Sequence, residues 1–397
     1  MRILVAEDER ITRATLVRQL QGWGHTVTSA EDGQTAWAHF SAGEFDIVLT
    51  DWEMPGLSGV ELIERIRAAA RANYLYIILL TGRSDKSDIV RGIEAGADDF
   101  VSKPFDREEL RVRLLAGERV VRLERTLNDQ NTALRAADTR MRHDLRAAAR
   151  VQRAMLPRGV VETPRVKTAW TYVPTDELAG DAVGIDLVDD RYLVTYVVDV
   201  SGHGVPAALL SVTAMHAMAP TTDGASLLRT QAADGHGHGA RTPSYVVTEL
   251  NRRFASTDND GRFLTMVLCV LDTHTGELAF SRAGHPLPIL LRDGISVPLD
   301  DAGGMPVGLA DGVEYTDVRI QLRPADRLVL YSDGIIEQSD PTGRTLYNTD
   351  RLEALMVKHA ATPGDKLMSH TVDALAQWAG SRTFLDDVSL VCVDWVG

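Results

Sequence analysis

The strongest constraint on this chain is the alternation of short apolar runs with helical patterns over its first 116 residues. The runs read ILVA, DIVLT, YIILLT and DFVSK, with a further strand pattern at HTVTSA. Helical patterns separate them, near 10–22, 33–42, 58–70, 86–95 and 106–116. Strands that alternate with helices form a parallel sheet covered on both faces. We therefore predict a doubly wound α/β domain at 1–116.

Charged and hydroxyl side chains follow four of these strands: Glu7 and Asp8, Asp51, Thr81, and Lys103. Reactive groups of an open parallel sheet gather at the carboxyl ends of its strands. Neighbouring carboxylates repel one another unless a divalent cation lies among them, and Mg²⁺ prefers oxygen ligands. A lysine and a hydroxyl opposite them suit phosphoryl oxygens. One such aspartate alone would be read as a helix cap, but the four strand ends together predict a carboxylate that accepts a phosphoryl group.

Residues 117–157 carry no strand pattern and no proline before Pro157. Apolar side chains recur there every seven residues, which is the spacing of a coiled-coil seam. The seam consists of Val120, Leu127, Leu134, Met141, Ala148 and Met155. A companion seam is mixed in character (Leu123, Gln130, Ala137, Asp144, Val151). The pattern predicts a long helix that ends by Pro157 and Pro164, either as a weak parallel coiled coil of a homodimer or packed on the surface of its own chain.

The chain from 158 to 397 is rich in strand patterns such as YLVTYVVDV, FLTMVLCVLD and DVSLVCVDW. Helical patterns lie near 206–218, 243–256, 350–359 and 364–380, so we predict an α+β sandwich. The polar, glycine-rich segment 221–244 predicts a surface loop. Its GHGHG run holds His236 and His238, which we interpret as loop residues rather than metal ligands.

The stretch YVVDVSGHGVPAALL places Asp199 at the end of a strand that should be buried. A bare buried carboxylate is costly unless it is paired or bound to metal. Comparable acidic residues follow or precede other strands: Asp181, Asp333, Asp386 and Asp387. Each alone would be a turn or cap residue. Together they suit two Mg²⁺ or Mn²⁺ ions ~3.5–4 Å apart, which can activate a water and hold a phosphoryl oxygen.

Two histidines lie in motifs near these aspartates, His203 in SGHGVP and His285 in AGHP. An imidazole there is a candidate general acid, because its pKa lies near neutrality. We favour a structural or supporting role for both. The phosphate-loop patterns GxxxxGK[ST] and GxGxxG are absent, which argues against a phosphate-loop NTPase.

The net charge of −14 argues against a nucleic-acid partner, since such binding needs a basic face. The apolar runs are far shorter than the ~20 residues of a membrane span, and the first residues enter a strand pattern without a signal peptide. Cys269 and Cys392 lie in apolar strands and are expected to be buried free thiols. We therefore expect a cytoplasmic protein with neither nucleic acid nor membrane as partner.

Residues 1–116 resemble the CheY-like receiver domain of bacterial response regulators, through VAEDE, VLTDWEMPGLSG, LLTGR and VSKPF. The resemblance implies that Asp51 is the phosphoacceptor and that a sensor histidine kinase is the partner. It also implies Mg²⁺, bound by Glu7, Asp8, Asp51 and the main-chain carbonyl of Glu53.

The same resemblance assigns Thr81 and Lys103 to contacts with the phosphoryl group. Phe100 falls at the position of the family's switch aromatic. Core packing is the alternative interpretation of Phe100.

Residues 150–397 resemble the SpoIIE-like branch of the metal-dependent (PPM) serine/threonine phosphatases. The matching motifs include VQRAMLP, LAGD, VVDVSGHGVPAAL, TELNRRF, RAGHPLPILL, LVLYSDGIIE and DDVSLVCV. The resemblance implies a four-layer αββα sandwich with two Mn²⁺ or Mg²⁺ ions. The implied ligands are Asp181, Asp199, the carbonyl of Val200, Asp333 and Asp386. The implied supporting residues are Gly202, His203, Gly334 and Asp387.

The sequence departs from this family at the first aspartate. The usual pattern is Gly-Gly-Asp-Phe-Tyr-Asp, whereas here Ala179, Gly180 and Asp181 are followed by Ala182, Val183 and Gly184. The trailing aspartate is therefore lost. Because all four principal ligands remain, we expect an active enzyme. A weak or silent phosphatase-fold adaptor that binds a regulator is the alternative.

The combined expectation is a two-component response regulator with three parts: a receiver at 1–116, a helical linker at 117–157 and a phosphatase at 158–397. Phosphorylation of Asp51 would act through the helix on a phosphatase for phosphoserine or phosphothreonine. The resemblance implies an anti-anti-sigma (STAS) protein as substrate. A DNA-binding regulator would need a helix-turn-helix and a basic face after residue 157, and neither is present.

Overall fold

The computed structural model describes residues 1–69, 73–82, 86–219, 226–231, 238–255, 261–301 and 303–397. The chain divides into two compact units, Met1–Arg140 and Met141–Gly397. The boundary falls within one long helix. The finer division into 1–116, 117–157 and 158–397 stays a prediction.

The first unit is built on a five-stranded parallel sheet with the strand order β2-β1-β3-β4-β5. Its strands are β1 (Arg2–Ala6), β2 (Thr26–Ala30), β3 (Ile47–Asp51), β4 (Tyr76–Thr81) and β5 (Asp99–Ser102). Its helices are α1 (Arg10–Gly22), α2 (Gly33–Ala42), α3 (Gly59–Ala68), α4 (Lys86–Glu94) and α5 (Arg107–Arg153). The predicted doubly wound α/β domain is confirmed.

The buried strands of this sheet divide their side chains between two apolar clusters. In β1, Leu4 belongs to the cluster on one face, while Ile3 and Val5 belong to the cluster on the other. This division follows from the two-residue period of a strand. A sheet with an apolar cluster on each face explains why these runs read as almost continuously hydrophobic.

Helix α5 is 47 residues long, and apolar residues near its start belong to a core cluster of the first unit. Leu110, Leu114 and Val121 are buried there. Leu127 and Leu134 of the predicted seam are each more than half exposed. The helix ends at Arg153, just before Pro157, as the restriction on residues preceding proline requires. The long helix is confirmed, and its pairing as a coiled coil stays a prediction.

Among its described residues, the second unit contains two large sheets, a two-stranded ribbon and five helices beyond the end of α5. Its strands are β6 (Val166–Val173), β7 (Ala182–Val188), β8 (Tyr192–Val200), β9 (Arg229–Gln231), β10 (His238–Ala240), β11 (Leu264–Asp272), β12 (Glu277–Ala283), β13 (Ile289–Arg292), β14 (Ile295–Val297), β15 (Gly303–Gly304), β16 (Val318–Gln321), β17 (Arg327–Tyr331) and β18 (Val388–Trp395). Its helices are α6 (Val205–Met218), α7 (Pro243–Ala255), α8 (Asp333–Ile336), α9 (Asn348–Lys358) and α10 (Gly364–Ala379).

These elements form four layers. One sheet has the order β15-β12-β11-β8-β7, with β16 also paired to β12, and the other has the order β14-β13-β17-β18-β6. Helices α6 and α7 pack on the first sheet, and α9 and α10 pack on the second. Leu330 and Val391 of the second sheet share one apolar cluster with Val197 of the first, so the sheets face each other. The predicted α+β sandwich is confirmed.

The surface loop predicted at 221–244 is wrong in part. Strands β9 and β10 form a two-stranded antiparallel ribbon within it. Leu227 and Leu228 beside the ribbon are buried, and Arg229 pairs with Asp186 of β7 at 3.4 Å. These contacts hold the ribbon against the rest of the unit, although the polar composition of the segment predicted a solvent-exposed loop. His236 lies outside the described residues, and only the backbone of His238 is described, in β10.

Cys269 and Cys392 are both buried free thiols, as expected. In the described ranges, none of the helices combines the length and the apolar character that a bilayer crossing needs.

Candidate functional site

The first candidate site lies at the carboxyl edge of the parallel sheet. Glu7 directly follows β1, Asp51 ends β3, and Lys103 directly follows β5. The Lys103 Nζ atom is 2.7 Å from Glu7 Oε2 and 2.9 Å from Asp51 Oδ2. The parallel strands thus bring together three residues that are far apart in sequence.

Three carboxylates at this edge, those of Glu7, Asp8 and Asp51, offer oxygens that lie within 4.8 Å of one another. Burial raises the pKa values of Glu7 and Asp51, and hydrogen bonding to Lys103 partly opposes the rise. A cluster of partly buried carboxylate oxygens fits a single divalent cation such as Mg²⁺. The donor set therefore agrees with the implied ion.

The remaining predicted residues of this unit lie around the same edge. Thr81 is buried at the end of β4, one residue beyond the partner of Asp51 in the β3–β4 pair. Phe100 is half-buried against the cluster on one sheet face, with the guanidinium carbon of Arg113 5.8 Å from its ring centroid. Glu53 is exposed, directly after the Asp51–Trp52 turn. The roles of these residues stay predictions.

The second candidate site lies where strands of both sheets of the sandwich end. Asp199 is the penultimate residue of β8, and Asp181 directly precedes β7 in the same sheet. Asp333 follows β17 and begins α8, and Asp386 lies two residues before β18, in the other sheet. The structure thus brings these four predicted residues to one place from four strands.

The turn after Asp199 needs glycine. Gly202 and Gly204 have φ values of 85° and 79°, in the left-handed region that other residues rarely adopt. Pro206 then lies in the first turn of α6, where proline is tolerated. The chain therefore turns away immediately after Val200, whose carbonyl is the predicted main-chain ligand.

The aspartates of this site repel one another, and this repulsion adds to the effect of burial on their pKa values. Burial, followed by the charges of Asp333 and Asp386, raises the pKa of Asp199 to about 8. Burial, followed by Glu337 and Asp386, raises the pKa of Asp333 to about 6. The pKa of Asp181 is raised well above its ordinary value by burial and by the charges of Asp199 and Asp387.

A divalent cation would relieve this arrangement. Asp181 is only 2% exposed, and its Oδ2 atom has no hydrogen-bond partner among the described residues. Within the same described ranges, no three carboxylates of this site meet the 4.8 Å spacing seen at the first site. Carboxylate oxygens that are spread more widely than those of the first site suit two Mn²⁺ or Mg²⁺ ions bridged by common ligands. The two ions lie ~3.5–4 Å apart in such centres.

Asp387 holds the main chain that leads to Asp181. Its Oδ1 atom accepts a hydrogen bond from the Thr175 amide at 2.8 Å, and its Oδ2 atom accepts from the Gly180 amide at 2.9 Å. A Cβ atom on Gly334 would lie 2.1 Å from the Asp387 main-chain oxygen, so only glycine permits this close approach. Both residues thus contact the site's framework, as the supporting role requires.

Sequence reasoning missed Gln152, at the end of α5. Its Nε2 atom donates to the Ala179 carbonyl at 2.7 Å, and its Oε1 atom accepts from the Ala179 amide at 3.3 Å. Gln152 is only 3% exposed, and the neighbouring Ala149 packs with Leu178. The last turn of α5 is therefore hydrogen-bonded to the main chain two residues before Asp181. The motif VQRAMLP contained the signal, but a motif does not reveal which side chain makes a contact.

His203 lies on the wall of an open cleft rather than beneath the carboxylates. Its side chain is 90% exposed, and its Nδ1 atom is 3.8 Å from Asp176 Oδ2. The cleft has a volume of about 250 Å³, and its lining also includes Leu385 and Asp386. His203 and Asp386, one of the predicted metal ligands, therefore line the same cleft.

Tyr196 explains why this chain has glycine in place of the family's trailing aspartate. A Cβ atom on Gly184 would lie 2.0 Å from the Tyr196 Cζ atom. Tyr196 is buried on the neighbouring strand β8, directly opposite Gly184. The tyrosine ring thus occupies the space that a side chain at position 184 would need.

Comparison with known proteins agrees with the fold of both units. The family model of stage II sporulation protein E (SpoIIE) matches residues 189–396, more than half of the chain, and the response regulator receiver domain matches residues 3–115. The chain belongs to the SpoIIE family and carries an N-terminal receiver domain.

Individual relatives match one unit at a time. The transcriptional regulatory protein TcrA of Mycobacterium tuberculosis is 40% identical over 116 residues, which cover 29% of this chain and 45% of TcrA. The chemotaxis protein CheY of Pseudomonas aeruginosa is 33% identical over 115 residues, covering 29% of this chain and 93% of CheY. The chain thus spans less than half the length of TcrA.

The SiaA-PP2C domain of Pseudomonas aeruginosa is similar in structure to the second part of the chain. The superposition has a TM-score of 0.54 and 22% sequence identity, and covers 66% of this chain and 99% of that domain. At this identity the likeness establishes the fold.

The pKa of Asp199 predicts how stability depends on pH in the metal-free protein. A folded-state pKa of about 8, against an ordinary value of 3.8, means that the folded state binds a proton that the unfolded chain releases. This stabilisation is present at low pH and is lost as the pH rises through about 8. In EDTA-treated protein, hydrogen exchange of β8 amides should therefore speed up from about pH 5 to about pH 9, after correction for intrinsic rates. Asp199→Asn should weaken this dependence, and an unchanged dependence would contradict the assignment.

The contact between Gly184 and Tyr196 predicts the result of adding a side chain at position 184. Gly184→Ala should lower the free energy of unfolding by about 1–3 kcal/mol, because the new methyl group overlaps a buried ring. Gly184→Ala combined with Tyr196→Leu should recover part of this loss in urea titrations. Equal stability of the native protein and the single variant would show that the ring moves aside without cost.

Proposed function

We propose that this chain is a two-component response regulator in which phosphorylation of Asp51 controls a Mn²⁺- or Mg²⁺-dependent protein phosphatase specific for phosphoserine or phosphothreonine. The observation that carries the proposal is the convergence of four aspartates, each beside an end of a different strand, in a domain of the SpoIIE family. Three of them (Asp181, Asp199 and Asp333) are buried or half-buried, and Asp386 is exposed. The receiver domain in the same chain supplies the regulatory input.

At the receiver, a carboxylate oxygen of Asp51 would attack the phosphorus of a phosphohistidine on a sensor histidine kinase. The P–N bond would break, the kinase imidazole would leave, and Asp51 would carry the phosphoryl group as an acyl phosphate. Lys103 contacts both Asp51 and Glu7, so its ammonium lies where the phosphoryl group would develop charge. The carboxylates of Glu7, Asp8 and Asp51 would hold the Mg²⁺ ion with the carbonyl of Glu53. Thr81, at the end of the next strand, would donate a hydrogen bond to a phosphoryl oxygen.

At the phosphatase site, Asp181, Asp199, Asp333, Asp386 and the carbonyl of Val200 would hold two divalent ions. Bound ions of this kind activate water and stabilise charge on the phosphoryl oxygens. Asp387 fixes the main chain before Asp181 through its bonds to the Thr175 and Gly180 amides. The solvent-exposed cleft admits a phosphorylated side chain of a folded protein.

We propose that His203 protonates the leaving serine or threonine oxygen from this cleft. Its imidazole is exposed, and Asp176 lies on its Nδ1 side, which would leave Nε2 as the donor to the leaving group. This proposal gives His203 a direct role in the reaction, where sequence reasoning favoured a supporting role.

We further propose that α5 transmits the state of the receiver to the phosphatase. The helix runs from Arg107, in the receiver, to Arg153, one residue after the Gln152 contact with Ala179. Its exposed seam around Leu127 and Leu134 fits a coiled coil between two copies of the chain. An anti-anti-sigma (STAS) phosphoprotein is the proposed substrate, by resemblance to the family.

A catalytically silent adaptor is the second candidate, and the loss of the family's aspartate at Gly184 favours it. Against it, each of the four principal carboxylates is present. The orphaned Asp181 Oδ2 atom also supports a site that binds metal.

Removing Asp199 should separate the two candidates. In the presence of Mn²⁺, Asp199→Asn should lower the hydrolysis rate of a phosphoserine protein more than about 100-fold, since loss of even a supporting group costs ~10–100-fold. Titration calorimetry should show weaker Mn²⁺ binding by the same variant. Asp190→Asn, in the exposed turn between β7 and β8, is the matched control and should change neither value. Mn²⁺ binding by the native protein without any turnover would support the adaptor.

A phosphoryl mimic on Asp51 should change the output of the second unit. Beryllofluoride should alter both the phosphatase rate and the molar mass measured by light scattering, because we propose that α5 couples the two. With Asp51→Asn, beryllofluoride should change neither the phosphatase rate nor the molar mass. Leu134→Lys should still bind beryllofluoride at the receiver but should lose the change in molar mass. An unchanged rate and mass in treated native protein would contradict the coupling.

A further inference from the structure

His285 is a buried histidine that the proposed reaction does not use. It is only 1% exposed and lies between β12 and β13, in the motif AGHP. The preceding residue, Gly284, has a φ of 65° and donates its amide to the Gly304 carbonyl at 2.7 Å. A histidine held this firmly in a core needs partners for both ring nitrogens.

One ring nitrogen of His285 contacts the sheet that contains β8 and β11. The Nδ1 atom of His285 lies 2.8 Å from the Thr265 hydroxyl. Thr265 is directly opposite Asp199 in the antiparallel β8–β11 pair. Directly opposite residues place their side chains on the same face of a sheet, with Cβ atoms about 4.5–5.5 Å apart. The hydrogen-bond partner of His285 therefore lies beside Asp199.

On its other side, the ring of His285 lies near the sheet that contains β17. The Nε2 atom is buried without a hydrogen-bond partner among the described residues, and the main chain of Tyr331 lies close to the ring. Tyr331 is the last residue of β17, two residues before Asp333. Burial lowers the pKa of His285 to about 3, so the ring is neutral and has one donor and one acceptor nitrogen.

Arg282 fixes the main chain that carries the ring. Its Nη1 atom donates to the His285 carbonyl at 2.5 Å, and its other terminal nitrogen pairs with Asp301. The imidazole therefore spans the space between β11 and β17 from a fixed backbone. These two strands belong to opposite sheets, and each adjoins one of the aspartates proposed as ligands.

We infer that His285 is a positioning residue of the phosphatase site, which sets the spacing between the two sheets where Asp199 and Asp333 meet. It acts through the Thr265 hydroxyl on one side and the Tyr331 main chain on the other. This inference rests on the proposed metal-dependent function and adds a residue to it. Its effect falls on the affinity for metal, because two ligands from different sheets must be held at a fixed separation.

Isosteric variants test the inference with little change in core volume. Thr265→Val removes the hydroxyl that His285 contacts, and Thr265→Ser keeps it. His285→Gln keeps an amide near the Nε2 position but loses the group at Nδ1. Ser281→Ala is the matched control, because Ser281 is fully buried on β12 and its hydroxyl has no partner among the described residues.

The measurement is Mn²⁺ affinity by titration calorimetry on the full chain, with urea unfolding of the EDTA-treated protein alongside. Thr265→Val and His285→Gln should each weaken Mn²⁺ binding by about 10-fold, within the ~10–100-fold range of groups that support metal ligands. Thr265→Ser, which keeps the hydroxyl, should bind Mn²⁺ with native affinity, and Ser281→Ala should do the same.

Two outcomes would overturn the inference in distinguishable ways. Native Mn²⁺ affinity in Thr265→Val and His285→Gln, with only their unfolding midpoints lowered, would make His285 a core residue and leave the proposed function intact. A native protein that binds no Mn²⁺ would remove the proposed function, and the inference with it.

Discussion

Repulsion among carboxylates in a buried position is the constraint on which the second unit depends. Asp181 and Asp199 come from one sheet and Asp333 from the other, so the sandwich can close only by bringing negative charges together. Without metal, the structure accommodates them by favouring protonated carboxyl groups. Much of the surrounding architecture, including Asp387 and the glycine turn after Val200, serves to hold these oxygens in place. The stability of this unit therefore depends on the same few groups that we propose as metal ligands.

The first site shows how far sequence alone can lead. Parallel strands leave a sheet at one edge, so residues that follow β1, β3 and β5 must be neighbours, and the Lys103 contacts with Glu7 and Asp51 follow from topology. The second site does not follow in this way. Its proposed ligands come from two sheets, and the way in which these sheets face each other depends on tertiary packing. Only the resemblance to a family linked Asp181 with Asp333 before the structure did.

Other features lay beyond sequence reasoning because they depend on particular side-chain contacts. The ring of Tyr196 opposite Gly184 is visible only once the register of β7 and β8 is known. The contact of Gln152 with Ala179 joins residues that no periodicity connects. The β9–β10 ribbon is short and polar, and its order derives from Arg229 and its buried leucine neighbours rather than from an intrinsic strand preference.

Helix α5 has a consequence for how such proteins can vary. With 47 residues and a rise of about 1.5 Å per residue, it is roughly 70 Å long, and each residue turns the helix by about 100°. Inserting one residue in its exposed middle would hardly change its length but would rotate everything beyond the insertion by more than a quarter of a turn. Changes of seven residues would nearly preserve the angular phase. Length differences among related linkers should therefore be read as rotations, and changes of about seven, eleven or eighteen residues keep the angular phase of the helix within about 20°.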